Sequence, residues 1–302
     1  MRRAAAIVGA ALLAGCIDDL DPKTLIVAPR VVEVVAEPPE VRPGQASTLS
    51  VFLAGTRGEA RYRWSVCPVT DLGAIGDANN ASLSDCFRDG AALLPLSTGA
   101  QATFVLPEPL LARVTEAAAR FGAALPPGVI ETFLRDVGLA VPVVVEIEVD
   151  GRTLRAVKRV VVSQSASPNT NPPPPRVRMN DRWVSVPRDA TDRRRCVPED
   201  GDALRFSPGQ RVTLTPDPEE PWLQAYTVLT ADGRFERRDE QAFYSWYATG
   251  GSLRGLTRSP LRDNEWTAPE TSPTTRDQSL WVLVRDGHGG ASGCRIDLRV
   301  EP

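Results

Sequence analysis

The chain offers few side chains for enzyme chemistry. A serine or cysteine nucleophile needs an adjacent base, most often histidine, and the 302 residues include one histidine, His288. It lies in Asp286-Gly287-His288-Gly289-Gly290, which is typical of an exposed hairpin tip. No nucleophile motif, phosphate-binding loop or dinucleotide fingerprint accompanies it. A pair of carboxylates could still act as acid and base, but we predict a protein that is not an enzyme and binds no cofactor.

Charge argues against nucleic acid as a partner. The formal net charge is −3, whereas a nucleic-acid surface needs an extended basic patch. The basic run Arg193-Arg194-Arg195 predicts a solvated loop, with contact to anionic lipid headgroups as the alternative. An oxygen-rich loop could hold calcium, but it lacks the spacing of an EF-hand, and its residues also favour turns. We therefore predict no metal at Asp71, Asp77, Asn79, Asn80 and Asp85.

The N-terminal residues indicate export. Met1-Arg2-Arg3 is positively charged, and the apolar run from Ala4 to Leu13 is too short to span a bilayer as a helix. The run ends in Leu13-Ala14-Gly15-Cys16, which resembles the lipobox of bacterial lipoproteins. The resemblance implies a signal peptide over residues 1–15 and a diacylglycerol on the Cys16 sulfur. The alternative is an ordinary secretory signal in which Cys16 has no role.

A proline-rich stretch divides the rest of the chain. Residues 163–175 end in four prolines, Pro172 to Pro175, which predict a stiff polyproline spacer. Similar landmarks follow in the same order on each side, which favours a duplicated domain. They are Pro43-Gly44-Gln45 and Pro208-Gly209-Gln210, Tyr62-Arg63-Trp64 and Tyr244-Ser245-Trp246, Phe104 and Trp266 three residues before a proline, and Asp150-Gly151 and Asp286-Gly287. We predict a tether at 16–28, domains at 29–165 and 176–302, and a linker at 166–175.

Alternating apolar and polar residues predict antiparallel strands. Ile296, Leu298 and Val300 alternate with charged residues, and the valines and isoleucine of 145–149 alternate with glutamates. One buried and one solvated face indicate antiparallel sheets, and two such sheets packed together form a sandwich. The Asp-Gly pairs fit hairpins between the last two strands of each domain. The predicted fold class is all-β, with two antiparallel β-sandwich domains.

These landmarks resemble immunoglobulin-like domains of the PKD type, which recur in bacterial envelope and surface proteins. The Tyr-x-Trp strand, the aromatic-x-x-Pro step and the terminal hairpin carry the resemblance, over about residues 29–165 and 176–302. It implies that Trp64 and Trp246 pack between the sheets. Such sandwiches host many functions, so the resemblance implies a fold and not an activity.

Four cysteines remain besides Cys16, namely Cys67, Cys86, Cys196 and Cys294. In an exported chain they imply two disulfides, with three possible connectivities. The division into domains selects Cys67–Cys86 and Cys196–Cys294, because each pair then stays within one domain. A zinc site is the alternative, but the spacings fit no zinc motif.

The first domain carries an insertion at about 108–138 that the second lacks. Its apolar residues recur at helical spacing on both sides of Leu125-Pro126-Pro127-Gly128, which predicts an inserted helical hairpin before the strand at Val143. The hairpin could cover the edge of the sandwich. Alternatively, one of its faces, with Phe121 and Phe133, could remain free for a partner protein.

The second domain carries a different addition at 217–240. It includes Pro221-Trp222, a strand-like run from Ala225 to Thr230 and a hairpin signal at Asp232-Gly233. Together with Trp183, the rings of Trp222 and Tyr226 could form a platform for a sugar or a peptide. The alternative is that these rings pack at a sandwich edge.

These features predict a non-catalytic protein of a bacterial cell envelope, held in the membrane through Cys16. The residue after Cys16 is Ile17 and not aspartate, which by the sorting logic of lipoproteins favours the outer membrane. We expect the protein to present its domains to a protein partner or an assembly, with 108–138 as the first candidate contact. A carbohydrate-binding lipoprotein that uses Trp222 and Tyr226 is the alternative.

Overall fold

The computed structural model of the chain consists almost entirely of β-strands. It describes residues 23–67, 84–88, 90–108, 132–190, 192–217, 219, 221–230, 232–255, 263–270 and 277–301. The predicted signal peptide, Cys16, residues 71–83 of the acidic loop and Phe121 lie outside these ranges. Within them, no helix combines the length and the apolar character that a membrane crossing requires.

Eight described strands build the first half of the chain. They are β1 (Arg30–Glu37), β2 (Glu40–Val41), β3 (Ser47–Ala54), β4 (Arg61–Val66), β5 (Leu94–Ser97), β6 (Gln101–Phe104), β7 (Leu139–Val149) and β8 (Arg152–Val162). The described residues of this half also include a short helix, α1 (Ser84–Phe87), and a π-helix (Phe133–Val137). Of the predicted helical hairpin at 108–138, the structure describes this π-helix and the two ends, so the hairpin itself stays a prediction.

These strands form two sheets, in the orders β1-β3-β6 and β2-β8-β7-β4-β5. Neighbours are antiparallel, except that β2 runs parallel to β8. The arrangement is that of an immunoglobulin-like sandwich, in which the first, second and fifth strands of the basic set face the third, sixth and seventh. The predicted turn at Asp150-Gly151 joins β7 to β8.

Twelve described strands build the second half. They are β9 (Val177–Met179), β10 (Arg182–Ser185), β11 (Arg195–Pro198), β12 (Arg205–Phe206), β13 (Arg211–Pro216), β14 (Ala225–Leu229), β15 (Phe235–Asp239), β16 (Phe243–Ala248), β17 (Ser252–Leu253), β18 (Asn264–Thr267), β19 (Asp277–Arg285) and β20 (Ala291–Val300).

The second half repeats the plan of the first. The set β16-β19-β20 corresponds to β4-β7-β8, and β9-β13-β18 corresponds to β1-β3-β6. Strand β12 runs parallel to β20 as β2 does to β8. Strands β10 and β11 are additional: β10 pairs with β9 and β11, and β11 pairs with β20, so together they join the two sets into one continuous sheet. Strand β17, which pairs with β18, is also without a counterpart beside β6 among the described strands. The 217–240 addition forms a separate hairpin, β14-β15, as its turn signal predicted.

Each half has its own apolar core, centred on the predicted tryptophan. Trp64 of β4 and Trp246 of β16 are both fully buried, and Phe104 and Trp266 lie in the corresponding strands β6 and β18. The alternation predicted for β20 is also present, because Ile296, Leu298 and Val300 are buried. The landmarks that repeat in the sequence therefore occupy equivalent positions in the fold.

Both predicted disulfides are present. Cys67, directly after β4, is bonded to Cys86 of α1, and Cys196 of β11 is bonded to Cys294 of β20, with Cα atoms 5.6 and 5.5 Å apart. The second bond ties the initial segment of the second half to its last strand. By the loop-entropy relation the two bonds stabilise the fold by roughly 3 and 4.7 kcal/mol.

The two halves pack directly against each other. Val32 of β1 and Phe52 of β3 are buried together with Trp281 and Leu283 of β19. The linker also packs at this junction and is not a free spacer, since its Asn169 is buried and bonded to Glu40 and Asp286. The end of the predicted tether also belongs to the folded body, because it pairs with the second half. Ile26 N donates to the Ala248 carbonyl at 2.8 Å, and Ala248 N donates to the Thr24 carbonyl at 2.9 Å. Residues 24–26 therefore extend the edge of β16.

Candidate functional site

A cleft of about 350 Å³ opens between the two halves. The first half contributes Val51 to Leu53 of β3 and the Tyr62 ring of β4. The second half contributes Arg194, Arg195, Trp281 and Arg295 among others. A cavity of this volume is in the range of small-molecule binding sites.

Three of the cleft residues form a row across neighbouring strands of the second half. The register places Trp281 of β19 opposite Arg295 of β20, and Arg295 opposite Arg195 of β11. Side chains alternate between the faces of a sheet, and the cysteines that precede Arg295 and follow Arg195 are buried in the core. The Cys196–Cys294 disulfide therefore fixes the spacing of these two arginines on the outer face.

Arg194 reaches from the second half onto the first. Its Nη1 donates to the Val51 carbonyl at 2.8 Å, and its guanidinium carbon lies 5.0 Å from the centroid of the Phe52 ring. Burial lowers the pKa of this guanidinium, while the negative charge of Asp192 opposes the shift. The prediction that Arg193–Arg195 is a solvated loop is therefore wrong for Arg194, because the docking of the halves buries part of it.

The arginines of the cleft differ in how they are paired. Arg195 Nη2 and Arg295 Nε both lie 3.0 Å from the carboxylate of Asp297. For Arg194, the described part of the chain places no carboxylate within ion-pair distance. Burial raises the pKa of the neighbouring Tyr62 phenol, and the charge of Arg194 lowers it. Within the described ranges, Arg194 is thus the cleft arginine that forms no ion pair, although the negative charge of Asp192 acts on it.

A cluster of hydrogen-bonded polar side chains is buried where the halves meet. Glu40 accepts hydrogen bonds from Ser163 Oγ and, at 2.7 Å, from Asn169 N. The side-chain Nδ2 of Asn169 donates to Asp286 Oδ2 at 3.0 Å, and Lys158 Nζ donates to the Gly289 carbonyl at 2.7 Å. We refer to Glu40, Lys158, Ser163, Asn169 and Asp286 as the inter-half network.

Burial shifts the ionisation of two members of this network. It raises the pKa of Asp286, and hydrogen bonds from His288 N and Asn169 oppose the shift. It lowers the pKa of Lys158, with the negative charges of Glu33 and Asp286 acting in the opposite direction. The Asp286 carboxylate also accepts from Gly290 N at 2.9 Å. Apart from Asn169 Oδ1, which is buried without a hydrogen-bond partner among the described residues, these polar groups bond within the protein, which fits a structural contact better than an open site.

His288 is not the exposed tip that the sequence predicted. It lies in the turn between β19 and β20, but its ring stacks on Tyr226 with centroids 3.9 Å apart. Its Nδ1 is 3.5 Å from the buried Glu240 Oε1, and its side chain is 22% exposed. The β14-β15 hairpin and the residue after it therefore cover this imidazole.

The rings of the predicted platform each contact their own chain. The Arg176 guanidinium lies 4.0 Å from the centroid of the Trp183 ring. Trp222 is half-buried against the core of the second half, and Tyr226 stacks on His288. This placement corresponds to the packing alternative more than to a platform for a sugar.

The described part of the insertion also lies against its own chain. The π-helix that contains Phe133 contacts β14, and Gln164 N donates to the Leu134 carbonyl at 2.9 Å. Phe133 is half-buried. This end of the insertion covers the junction of the halves, while Phe121 lies outside the described residues.

The described ranges contain no group of three or more His, Cys, Asp or Glu side chains placed to hold a metal ion. Sequence reasoning missed the arginine cleft, although one signal was available. Arg195 and Arg295 each adjoin a disulfide cysteine on a strand, so alternation alone predicts that they lie side by side on the outer face.

The sequence matches no protein-family profile, and a search of curated proteins finds no relative. Three solved structures illustrate what the chain is similar to. A nucleoside hydrolase-related hypothetical protein from Saccharophagus degradans is 15% identical over 47% of this chain and 28% of its own, with a TM-score of 0.26. The Ig1-2 module of the Drosophila receptor protein tyrosine phosphatase DLAR is 8% identical over 91% and 100%, with a TM-score of 0.23.

The third is the Bacteroides ovatus protein SGBP-B of a mixed-linkage glucan utilization locus, 9% identical over 90% of this chain and 70% of its own, with a TM-score of 0.22. The chain thus spans about a quarter of the length of the first of these structures. Because the TM-scores are low, it is the strand order that supports the immunoglobulin-like arrangement.

Proposed function

We propose that the chain is a non-catalytic lipoprotein of a bacterial cell envelope, anchored through Cys16, that presents a rigid body of two immunoglobulin-like sandwiches for binding. The sequence Leu13-Ala14-Gly15-Cys16 supports the anchor. Two or three acyl chains, at about 0.8 kcal/mol per buried methylene, hold a protein in a membrane almost permanently.

The observation that carries this proposal is that the segment after the anchor and both halves form one packed unit. Residues 24–26 pair with the edge of β16, and the apolar contact around Phe52 and Leu283 joins the halves. Tandem sandwiches on a free linker would move independently. This body instead holds the binding surfaces of its two halves at fixed positions relative to each other.

The pairing also limits how far the body can stand from the membrane. Leu25, the residue that bridges to Ala248, lies nine residue steps after Cys16. A fully extended chain rises by about 3.3–3.6 Å per residue, so this edge lies within about 30 Å of the anchor. In the anchored protein, the β16 edge of the second half therefore stays within about 30 Å of the membrane surface.

The anchor is tested by fractionation of cells that express the full chain and Cys16→Ala. We expect the unaltered chain in the membrane fraction and the variant in the soluble periplasmic fraction. A matched control is Ile17→Ala, which retains the cysteine and should stay in the membrane. A Cys16→Ala protein that remains membrane-bound would contradict the anchor.

The partner is tested by in-cell cross-linking of the anchored protein followed by mass spectrometry. We expect one dominant envelope protein, with cross-links that disappear when the chain is released by Cys16→Ala. Cross-links through 108–138 would identify the insertion as the contact. Equal cross-linking to many proteins, unchanged in the variant, would contradict a role in presentation.

A further inference from the structure

We propose that the cleft between the halves binds a small organic ligand through a carboxylate or phosphate group, with Arg194 as the principal contact. The site goes beyond the proposed anchoring and does not depend on it. Three observations carry it: a cavity of suitable volume, a pair of adjacent arginines, and a guanidinium without a carboxylate partner.

The adjacent pair is Arg195 and Arg295. They lie directly opposite each other in the register of β11 and β20, and like charges in this position destabilise a sheet. One carboxylate, that of Asp297, contacts both. Among the described residues that line the cleft, three guanidinium groups (Arg194, Arg195 and Arg295) face one carboxylate, that of Asp192. The cleft therefore has a net positive charge.

Arg194 provides the contact inside the cleft. Asp192 acts on this partly buried cation only at a distance, and an anion that binds the guanidinium directly would offset the cost of its burial. Its position is well defined, because Nη1 is held by the Val51 carbonyl and the group lies over the Phe52 ring. Guanidinium groups bind carboxylate and phosphate with paired, charge-assisted hydrogen bonds.

The rest of the cleft indicates a ligand with an organic body. Phe52 and Trp281 line the cleft but are themselves more than nine-tenths buried, so its accessible lining is mainly polar, and the phenol of Tyr62 can donate a hydrogen bond. A volume of about 350 Å³ accommodates a molecule of the size of a monosaccharide. An acidic sugar or a sugar phosphate fits this chemistry, since each combines an oxyanion with a polar ring.

The test is calorimetric titration of the full chain in detergent with four probes: glucuronate, glucose 1-phosphate, inorganic phosphate and glucose. We expect binding of at least one of the two charged sugars and none of glucose. Binding of inorganic phosphate as strongly as of the sugar phosphate would overturn the part of the proposal that assigns an organic ligand. Failure of all three anions to bind at millimolar concentration would overturn it entirely.

Variants locate the site. We expect Arg194→Gln to weaken binding at least tenfold and Arg194→Lys to weaken it less, because lysine keeps the charge. Arg193→Gln is the matched control, since Arg193 is exposed in the same loop and does not line the cleft. Arg295→Gln, at a half-exposed position, provides a second test if Arg194→Gln does not fold. Equal loss in Arg193→Gln, or undiminished binding in both cleft variants, would contradict the assignment.

Discussion

Asp286 shows how much a single buried carboxylate contributes to the junction of the halves. It accepts hydrogen bonds from Asn169, His288 N and Gly290 N while it is 1% exposed. Asp286→Ala would leave these donors without partners in a place that water does not reach, so we expect it to lower the free energy of unfolding by about 3 kcal/mol. Urea denaturation at neutral pH measures this change.

The control for this change is Asp239→Ala, which removes an exposed carboxylate at the end of β15. An exposed substitution of this kind should alter stability by less than about 0.5 kcal/mol. If both variants lose the same stability, the hydrogen bonds of Asp286 do not hold the junction.

The stability difference between the unaltered chain and Asp286→Ala should depend on pH, because burial raises the pKa of Asp286. The folded protein then binds a proton at Asp286 more readily than the unfolded chain does. This contribution to stability is fully present below the ordinary aspartate pKa of about 3.9 and is lost as the pH rises through the folded pKa. The difference in unfolding free energy between the unaltered chain and Asp286→Ala should therefore be larger near pH 4 than at pH 8. The opposite trend would show that the folded protein favours the charged form.

At the scale of elements, the β14-β15 hairpin is an addition that the sandwich does not need. It forms a two-stranded sheet of its own, and its ends meet, since Glu240 N donates to the Gln224 carbonyl at 2.8 Å. Replacing residues 225–239 by Asn-Gly, a favoured two-residue turn, should leave the second half folded. It should also remove the cover from His288 and increase amide hydrogen exchange at 286–290 about tenfold, the equivalent of about 1.4 kcal/mol.

Tyr226→Ala separates two contributions to that effect. It removes the ring that stacks on His288 but retains the hairpin and its contact with the π-helix, so we expect a smaller increase in exchange. Exchange at 286–290 that is unchanged after excision would show that the hairpin does not support the turn.

The sequence predicts elements whose signals are local and misses contacts that depend on docking. The alternation of apolar and polar residues predicted β20, and the Asp-Gly pairs predicted the hairpins. Both signals depend only on residues that are close together in the chain. The disulfide pairing could be predicted because the repeat places two of the four cysteines in each half. By contrast, nothing near Arg194 or Asp286 in the chain shows that the other half will bury them. The cleft and the inter-half network therefore appear only once the two halves are packed together.

For the whole molecule, the packing of the halves predicts a single cooperative unfolding transition. Phe52 is 8% exposed and lies in the apolar contact with Trp281 and Leu283. Phe52→Asp would place a charge there without a partner, at a cost of several kcal/mol if the contact stayed closed. We expect the contact to open instead, so that tryptophan fluorescence in urea shows two transitions, one for each half.

Val27→Asp is the matched control, because it introduces the same charge at an apolar residue that is 62% exposed. It should keep one transition at nearly the same urea concentration. The Phe52 variant should in addition lose the cleft, because β3 and Arg194 would no longer meet, and with it any affinity for an oxyanion ligand. A Phe52→Asp protein that still unfolds in one step with an unchanged midpoint would show that each half is fixed by contacts other than this one. Two transitions would mean that the rigidity of the body, and the site between its halves, both depend on this apolar contact.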